Sequence, residues 1–209
     1  MVLTEKSCAE FAEKLASKEP VPGGGGVAAL AGALGAALGT MVANYSIGKK
    51  AFLGMEDKHK EIIDKTTALR EKMLGLVDED AENFEPLSKA YGMPSSTDAE
   101  KEEKEKVLQA ALKVAAKGPI EMVECIYDVI KLHEELVDLS TKLIISDVGC
   151  GVQMLKAAIY SASLNVTVNL NSIKDEVYVE ETKEKVTRLV SEGGKICDEV
   201  FDKVVAVLG

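Results

Sequence analysis

Apolar residues recur three or four positions apart along most of this chain, so each segment can lay one face against a core as a helix. Thr4 stands where a helix cap belongs, and Cys8, Phe11 and Leu15 share one face of a first helix to about Ser17, stopped by Pro20-Val21-Pro22. A second helix is predicted from Gly24 to Gly26 through about Ser46. Along it Ala28, Gly32, Gly35 and Gly39 form a stripe with almost no side chain, where another helix backbone, of the same subunit or of a second one, can approach closely. From Met55 to about Ala90 a third helix carries Ile62, Thr66, Leu69, Met73, Leu76, Phe84 and Leu87 on one stripe. Asp80 falls on that apolar stripe. Its neighbours Asp78, Glu79 and Glu82 lie mostly off it, as solvated charges do.

Gly92-Met93-Pro94-Ser95-Ser96 makes a loop, and Thr97 with Glu100 has the spacing of a capping box that opens a fourth helix, with the run Lys101 to Lys106 on its solvated side. Gly118-Pro119 is expected to end or kink that helix. Ile120 to about Leu139 continues helically with Val123, Tyr127, Ile130 and Val137 inward. Ser146 or Asp147 can cap a helix from Val148 to about Leu170, with Val148, Val152, Leu155, Ile159, Ala162 and Val166 in the core and Asn165 and Asn169 on or beside that face. A last helix covers about Asp175 to Leu208, loosened at Gly193-Gly194. Asn165 to Leu170 alternates polar and apolar as a strand would, but one such segment cannot build a sheet. The expected fold is all-α: one domain over residues 1–209, a bundle of six or seven helices with no repeat or linker.

Composition sharpens this picture. The 209 residues are 46% hydrophobic but only 4% aromatic, with no Trp, so the core is aliphatic and small. A net charge of −10 repels nucleic acid and anionic membrane surfaces, so neither is an expected partner. The uncharged run Gly23 to Gly48 is long enough to cross a bilayer, yet eight of its residues are Gly and several are Ala, which fits a buried core helix better. Cys8, Cys125, Cys150 and Cys197 are widely spaced without a C-x-x-C pair, and no secretory leader precedes them. A cytoplasmic protein with reduced thiols is expected. With only His59 and His133 besides, no metal site is expected, and no permanently bound cofactor.

The residues that break their local pattern are the candidates for chemistry. The glycine run Gly23, Gly24, Gly25 leaves backbone amides open to close approach at a helix start. Asp80 is either a core acid satisfied by a lysine or a helix end, or a cleft acid, base or acceptor. Asp147 is either a plain cap or a second functional acid. Asn165 and Asn169 either bridge helices or face a ligand. Lys49-Lys50 either solvates a helix end or holds an anion. Together these groups could line one cleft.

Five segments carry a resemblance in the same order over nearly the whole chain: Pro22-Gly23-Gly24-Gly25 with Val27-Ala28-Ala29; Ile47 to Phe52; Asp78 to Phe84; Ser146-Asp147; and Asn165 to Leu170. In these the chain resembles the cyclodeaminase/cyclohydrolase family of folate enzymes. The resemblance implies an all-α fold, a homodimer formed by helix packing, and a tetrahydrofolate derivative bound near the subunit groove. It also implies that Asp80 is the base or electrostatic stabiliser, that Asp147 or Asp80 holds the pterin ring, and that the two acids could exchange these roles. Asn165 and Asn169 then position water or substrate, and Lys49 and Lys50, with the amides of Gly23 to Gly25, hold the folate tail. The implied reaction is hydrolysis of 5,10-methenyltetrahydrofolate to 10-formyltetrahydrofolate. The cyclodeaminase reaction, which releases ammonia from formiminotetrahydrofolate, and a non-catalytic folate-binding or dimerisation role are the alternatives. The chain departs from the family at Gly26, where the family carries Ser, so one possible cap or ligand hydroxyl is missing.

Overall fold

The uncharged, glycine-rich segment forms a single helix, α2 (Gly24–Ser46), in the computed structural model, which describes residues 2–209. Around it run α3 (Glu56–Tyr91), α4 (Asp98–Leu136) and α5 (Ile145–Leu170), while α6 (Glu176–Leu208) covers α4 and α5. A short α1 (Cys8–Leu15) lies outside this bundle with Phe11 as its buried anchor. One-turn 3₁₀ helices at Lys50–Phe52 and Val137–Leu139 link the longer elements, and no strand occurs among the described residues. The expected all-α bundle is therefore present, with six α-helices. Asn165 to Leu170 is the last turn and a half of α5, not a strand.

Small residues put α2 at the centre. It has the length and hydropathy of a membrane span, but its glycine and alanine face is buried against α3, α4 and α5. A Cβ at Gly32 would stand 2.6 Å from Met73 Sδ and 2.9 Å from Ile126 Cγ1, and one at Gly35 would stand 2.6 Å from Leu155 Cγ. The stripe thus receives large side chains from three neighbouring helices of the same chain, where the sequence suggested an approaching backbone. Each helical glycine costs about 1 kcal/mol relative to alanine, and here the bulk of its neighbours makes alanine the worse choice. Thr40 of α2 and Thr66 of α3 share a buried hydrogen bond of 2.8 Å across the same interface.

Several helix ends differ from expectation, each for a local reason. Ser7, not Thr4, caps α1: its hydroxyl accepts from the Glu10 amide, and Glu10 accepts from the Ser7 amide in return. Thr4 is used elsewhere, since its hydroxyl donates to Asp78 at 2.9 Å while the Leu3 amide donates to the other oxygen of the same carboxylate. Asp78 is accordingly an anchor for the N-terminal segment, not a solvated charge. Pro119 neither ends nor splits α4, which runs unbroken for 39 residues. A proline costs about 3 kcal/mol inside a helix, and burial of Gly118, Pro119, Met122 and Val123 against the bundle offsets it. The helix α5 starts three residues earlier than expected, so Asp147 lies in its first turn and neither Ser146 nor Asp147 caps it; Ile144 occupies the cap position without a side-chain bond. The Thr97–Glu100 box opens α4 as its spacing requires. Gly193 and Gly194 do not loosen α6; they admit Ile130, Ile159 and Tyr160.

His133 fills the gap between Gly39 of α2 and Gly151 of α5. A Cβ at Gly39 would lie 2.7 Å from its Cε1, and one at Gly151 would lie 3.0 Å from its Cδ2 and closer still to Nε2. The ring is fully buried, Nδ1 meets the Val129 carbonyl at 3.1 Å, and Nε2 has no partner. The neutral ring with its proton on Nδ1 satisfies this site, because a second N–H would find no acceptor. Burial therefore lowers its pKa from 6.5 to about 4. Between those values the unfolded chain binds the proton and the folded chain does not, so stability falls as pH drops through that window. The expected loss is on the order of 3 kcal/mol. Urea unfolding across that range should show it, and His133→Leu should flatten that part of the profile.

Candidate active site

The start of α2 has no side-chain cap. Gly23 is extended there, and the first-turn amides of Gly24, Gly25 and Gly26 have no intrahelical acceptor. Two polar side chains flank these glycines. Asp80, from the middle of α3, lies so close that a Cβ at Gly25 would stand 2.6 Å from its Oδ2 and 2.7 Å from its Cγ. On the other side Asn165 of α5 is 3.6 Å from where a Gly24 Cβ would be. At position 25 only glycine fits beside the Asp80 carboxylate, whereas a Cβ at position 24 would meet Asn165 at ordinary contact distance.

Asp80 is half-buried on a largely apolar wall. Burial raises its pKa above the ordinary aspartate value, and the Gly26 amide, hydrogen-bonded to it, offsets part of that rise. Among the described residues no lysine or arginine pairs with it. Of the partners open from the sequence, the lysine is absent and the helix end is present, since the Gly26 amide lies in the first turn of α2, while the same carboxylate also borders a cleft. The amide of Asn165 donates to the Ser161 carbonyl at 2.9 Å, and that of Asn169 donates to the Asn165 carbonyl at 2.9 Å. Each bond fixes its side chain and leaves Oδ1 as an acceptor.

These groups share one cavity of about 310 Å³. Gly23, Gly24, Gly25, Asp80, Asn165 and Asn169 all line it. Pro20 and Val21 form one edge, Phe84, Leu87 and Tyr91 of α3 another, and Leu112, Ala115 and Pro119 of α4 the floor. The site joins a few fixed polar groups to flat and aliphatic walls, as small-molecule cavities do.

Residues 7–188 match the model of the formiminotransferase-cyclodeaminase family. The chain belongs to the formiminotransferase-cyclodeaminase family. Among its relatives is the methenyltetrahydrofolate cyclohydrolase of Methylorubrum extorquens, 37% identical over 93% of each chain. The formimidoyltransferase-cyclodeaminase of Gallus gallus is 34% identical over 91% of this chain, which spans 35% of that longer protein. The crystal structure of formiminotetrahydrofolate cyclodeaminase from Thermotoga maritima superimposes with a TM-score of 0.80 at 29% identity, covering 98% of this chain and 96% of the other.

In this member of the formiminotransferase-cyclodeaminase family the remaining predicted residues stand elsewhere. Lys49 and Asp147 line a second cavity of about 300 Å³ with Met41, Tyr45, Thr141 and Leu143. It sits at the opposite end of α2, about 30 Å from the first at 1.5 Å per residue. Lys50, also exposed, opens the adjoining 3₁₀ turn. One chain therefore does not gather all the candidates into a single cleft, because α2 and α5 run antiparallel and hold them at opposite ends. The cavity walls at Tyr91, Leu112, Ala115 and Val168 were not singled out by the sequence; each sits on an ordinary helical pattern. Pro119 was visible, as a helix breaker. Gly26 leaves room for the family's serine, since a Cβ there would meet nothing nearer than 3.6 Å.

Proposed function

We propose that this chain is a methenyltetrahydrofolate cyclohydrolase that converts 5,10-methenyltetrahydrofolate to 10-formyltetrahydrofolate. The observation that carries this reading is Asp80, a carboxylate with no cation of its own, held against the start of α2 and lining a cavity with the Asn165 and Asn169 acceptors. The one-carbon bridge of the substrate is an amidinium cation, which an unpaired carboxylate attracts. Being already electrophilic, that carbon needs chiefly a placed water and a base. Water adds to the bridge carbon and Asp80 accepts a proton from it. The bond from carbon to N5 then breaks, leaving the formyl group on N10. Of the two water protons one ends on N5 and one leaves to solvent. A raised pKa makes Asp80 a stronger base than an ordinary aspartate. The ring N–H groups of the pterin suit the two asparagine oxygens, and the aromatic edge of the cavity suits its flat face.

The same carboxylate in its protonated form could hand a proton to departing ammonia, which keeps the cyclodeaminase reaction as the second reading. The name of the Thermotoga maritima relative supports it. One experiment separates the cases: loss of the near-ultraviolet absorbance of methenyltetrahydrofolate, run beside ammonia release from formiminotetrahydrofolate. Failure of both with tetrahydrofolate still bound leaves a non-catalytic folate-binding protein.

We also propose a cytoplasmic homodimer without a resident cofactor. The exposed face of α2 carries Leu34 and Tyr45, and that of α5 carries Tyr160, Leu164 and Val168. Val168 borders the first cavity and Tyr45 the second. A two-fold pairing of these faces would bring the Lys49 and Asp147 end of one protomer to the Asp80 cavity of the other, and so restore their roles toward the ring and the tail. Mixed protomers test this. Asp80→Asn and Asp147→Ala, each impaired alone, should regain about a quarter of wild-type activity after unfolding and refolding together. No recovery, or a monomer in sedimentation at assay concentration, would remove the shared site.

A further inference from the structure

Proline in the interior of a long helix lacks the N–H that the carbonyl four residues earlier requires. In α4 that residue is Pro119 and the carbonyl is that of Ala115. The neighbouring amide of Gly118 has the Val114 carbonyl as its own helical partner. Residues four apart lie on one face of a helix, and both Ala115 and Pro119 line the Asp80 cavity. The opened turn of α4 therefore borders the same cavity as Asn165 and Asn169 of α5. Proline is the least favoured residue inside a helix, and this one sits at the site.

We propose that Pro119 keeps the Ala115 carbonyl open as a hydrogen-bond acceptor in the cavity floor, and that this carbonyl takes a ring N–H of the bound pterin. The ligand class rests on the folate reading above; the open carbonyl does not. Pro119 is thus a positioning residue and the Ala115 carbonyl a substrate-binding group. With Asp80, Asn165 and Asn169 it gives the cavity four acceptors and so selects a ligand edge rich in donors.

Pro119→Ala tests this by supplying the missing N–H. The amide at position 119 should then exchange slowly with solvent deuterium and the thermal midpoint should rise, because the helix gains a bond. KM for methenyltetrahydrofolate should nevertheless rise roughly fivefold to tenfold at nearly constant kcat, as expected for one lost hydrogen bond. A proline that serves structure alone would give the same exchange and midpoint with KM unchanged, and that result overturns the proposal. So does fast exchange at position 119, since the carbonyl would then not be available to a donor. Pro119→Val, nearer to proline in volume, supplies the same N–H if the alanine variant does not fold. If the wild-type protein neither turns over nor binds tetrahydrofolate, slow exchange at position 119 would show that the carbonyl is open and that the assigned ligand, with the folate reading, is wrong.

Discussion

Asp80→Asn should lower kcat by roughly 10²- to 10⁴-fold, the range for loss of a positioned base, with a smaller rise in KM from the lost attraction to the amidinium. The side chain keeps its size and one acceptor oxygen, so most of the binding survives while proton transfer does not. The pH profile gives the sign of the role. As a base, Asp80 must be ionised, so wild-type activity should fall as pH drops through a pKa that burial has raised above the aspartate norm. If protonated Asp80 serves as the acid of the ammonia-releasing reaction, activity should instead fall as pH rises through that value. Stability should move the other way from activity. The folded state binds this proton more tightly than the unfolded one, so the carboxylate is costly above its folded pKa and costs nothing below its unfolded one. Asp80→Asn should therefore resist urea better than wild type near neutrality and lose that advantage in acid. A variant with full turnover would take Asp80 out of the chemistry.

Gly25→Ala should cost on the order of 10² in kcat although it adds only a methyl group. The new Cβ would stand 2.6 Å from Asp80 Oδ2 and 2.7 Å from Cγ, inside any real contact distance, so the carboxylate must swing out of place. Displacement by about 1 Å is enough for a loss of that size. Stability should change little, because alanine is favoured over glycine in a helix by up to about 1 kcal/mol and Asp80 is held by no ion pair. Gly75→Ala is the control. It lies on the exposed side of α3, where a Cβ would meet nothing nearer than 4.0 Å, so the helix preference should appear there without any loss of activity. Equal kcat in Gly25→Ala and wild type would mean that Asp80 does not act from this position.

Period and punctuation made most of the fold legible. The core faces of α3 and α5 follow from their spacing, with Ile62, Met73, Val148, Val152 and Ile159 fully buried as that spacing requires. The Thr97–Glu100 box could be read because its two partners are three residues apart. Thr4 could not be placed, because the carboxylate that engages its hydroxyl is 74 residues away. Pro119 was read by the local rule, which breaks a helix, whereas packing on several sides held the helix together and turned the lost bond toward the cavity. Asp80 stood out as a charge on an apolar stripe, and that signal survived because a stripe is a property of one helix. The pairing of Asp80 with Gly25 is a property of two.

By itself the sequence determined that the chain is helical, which faces are apolar, and that a charge-free glycine helix and a misplaced acid set it apart, because each depends on neighbours within a few turns. The tertiary structure alone decided that Asp80 meets the glycines and the asparagines of α5, that Lys49 and Asp147 lie at the far end of α2, and that a proline opens the cavity floor. Those outcomes depend on how antiparallel helices align end to end, and side-chain bulk against glycine sets that alignment.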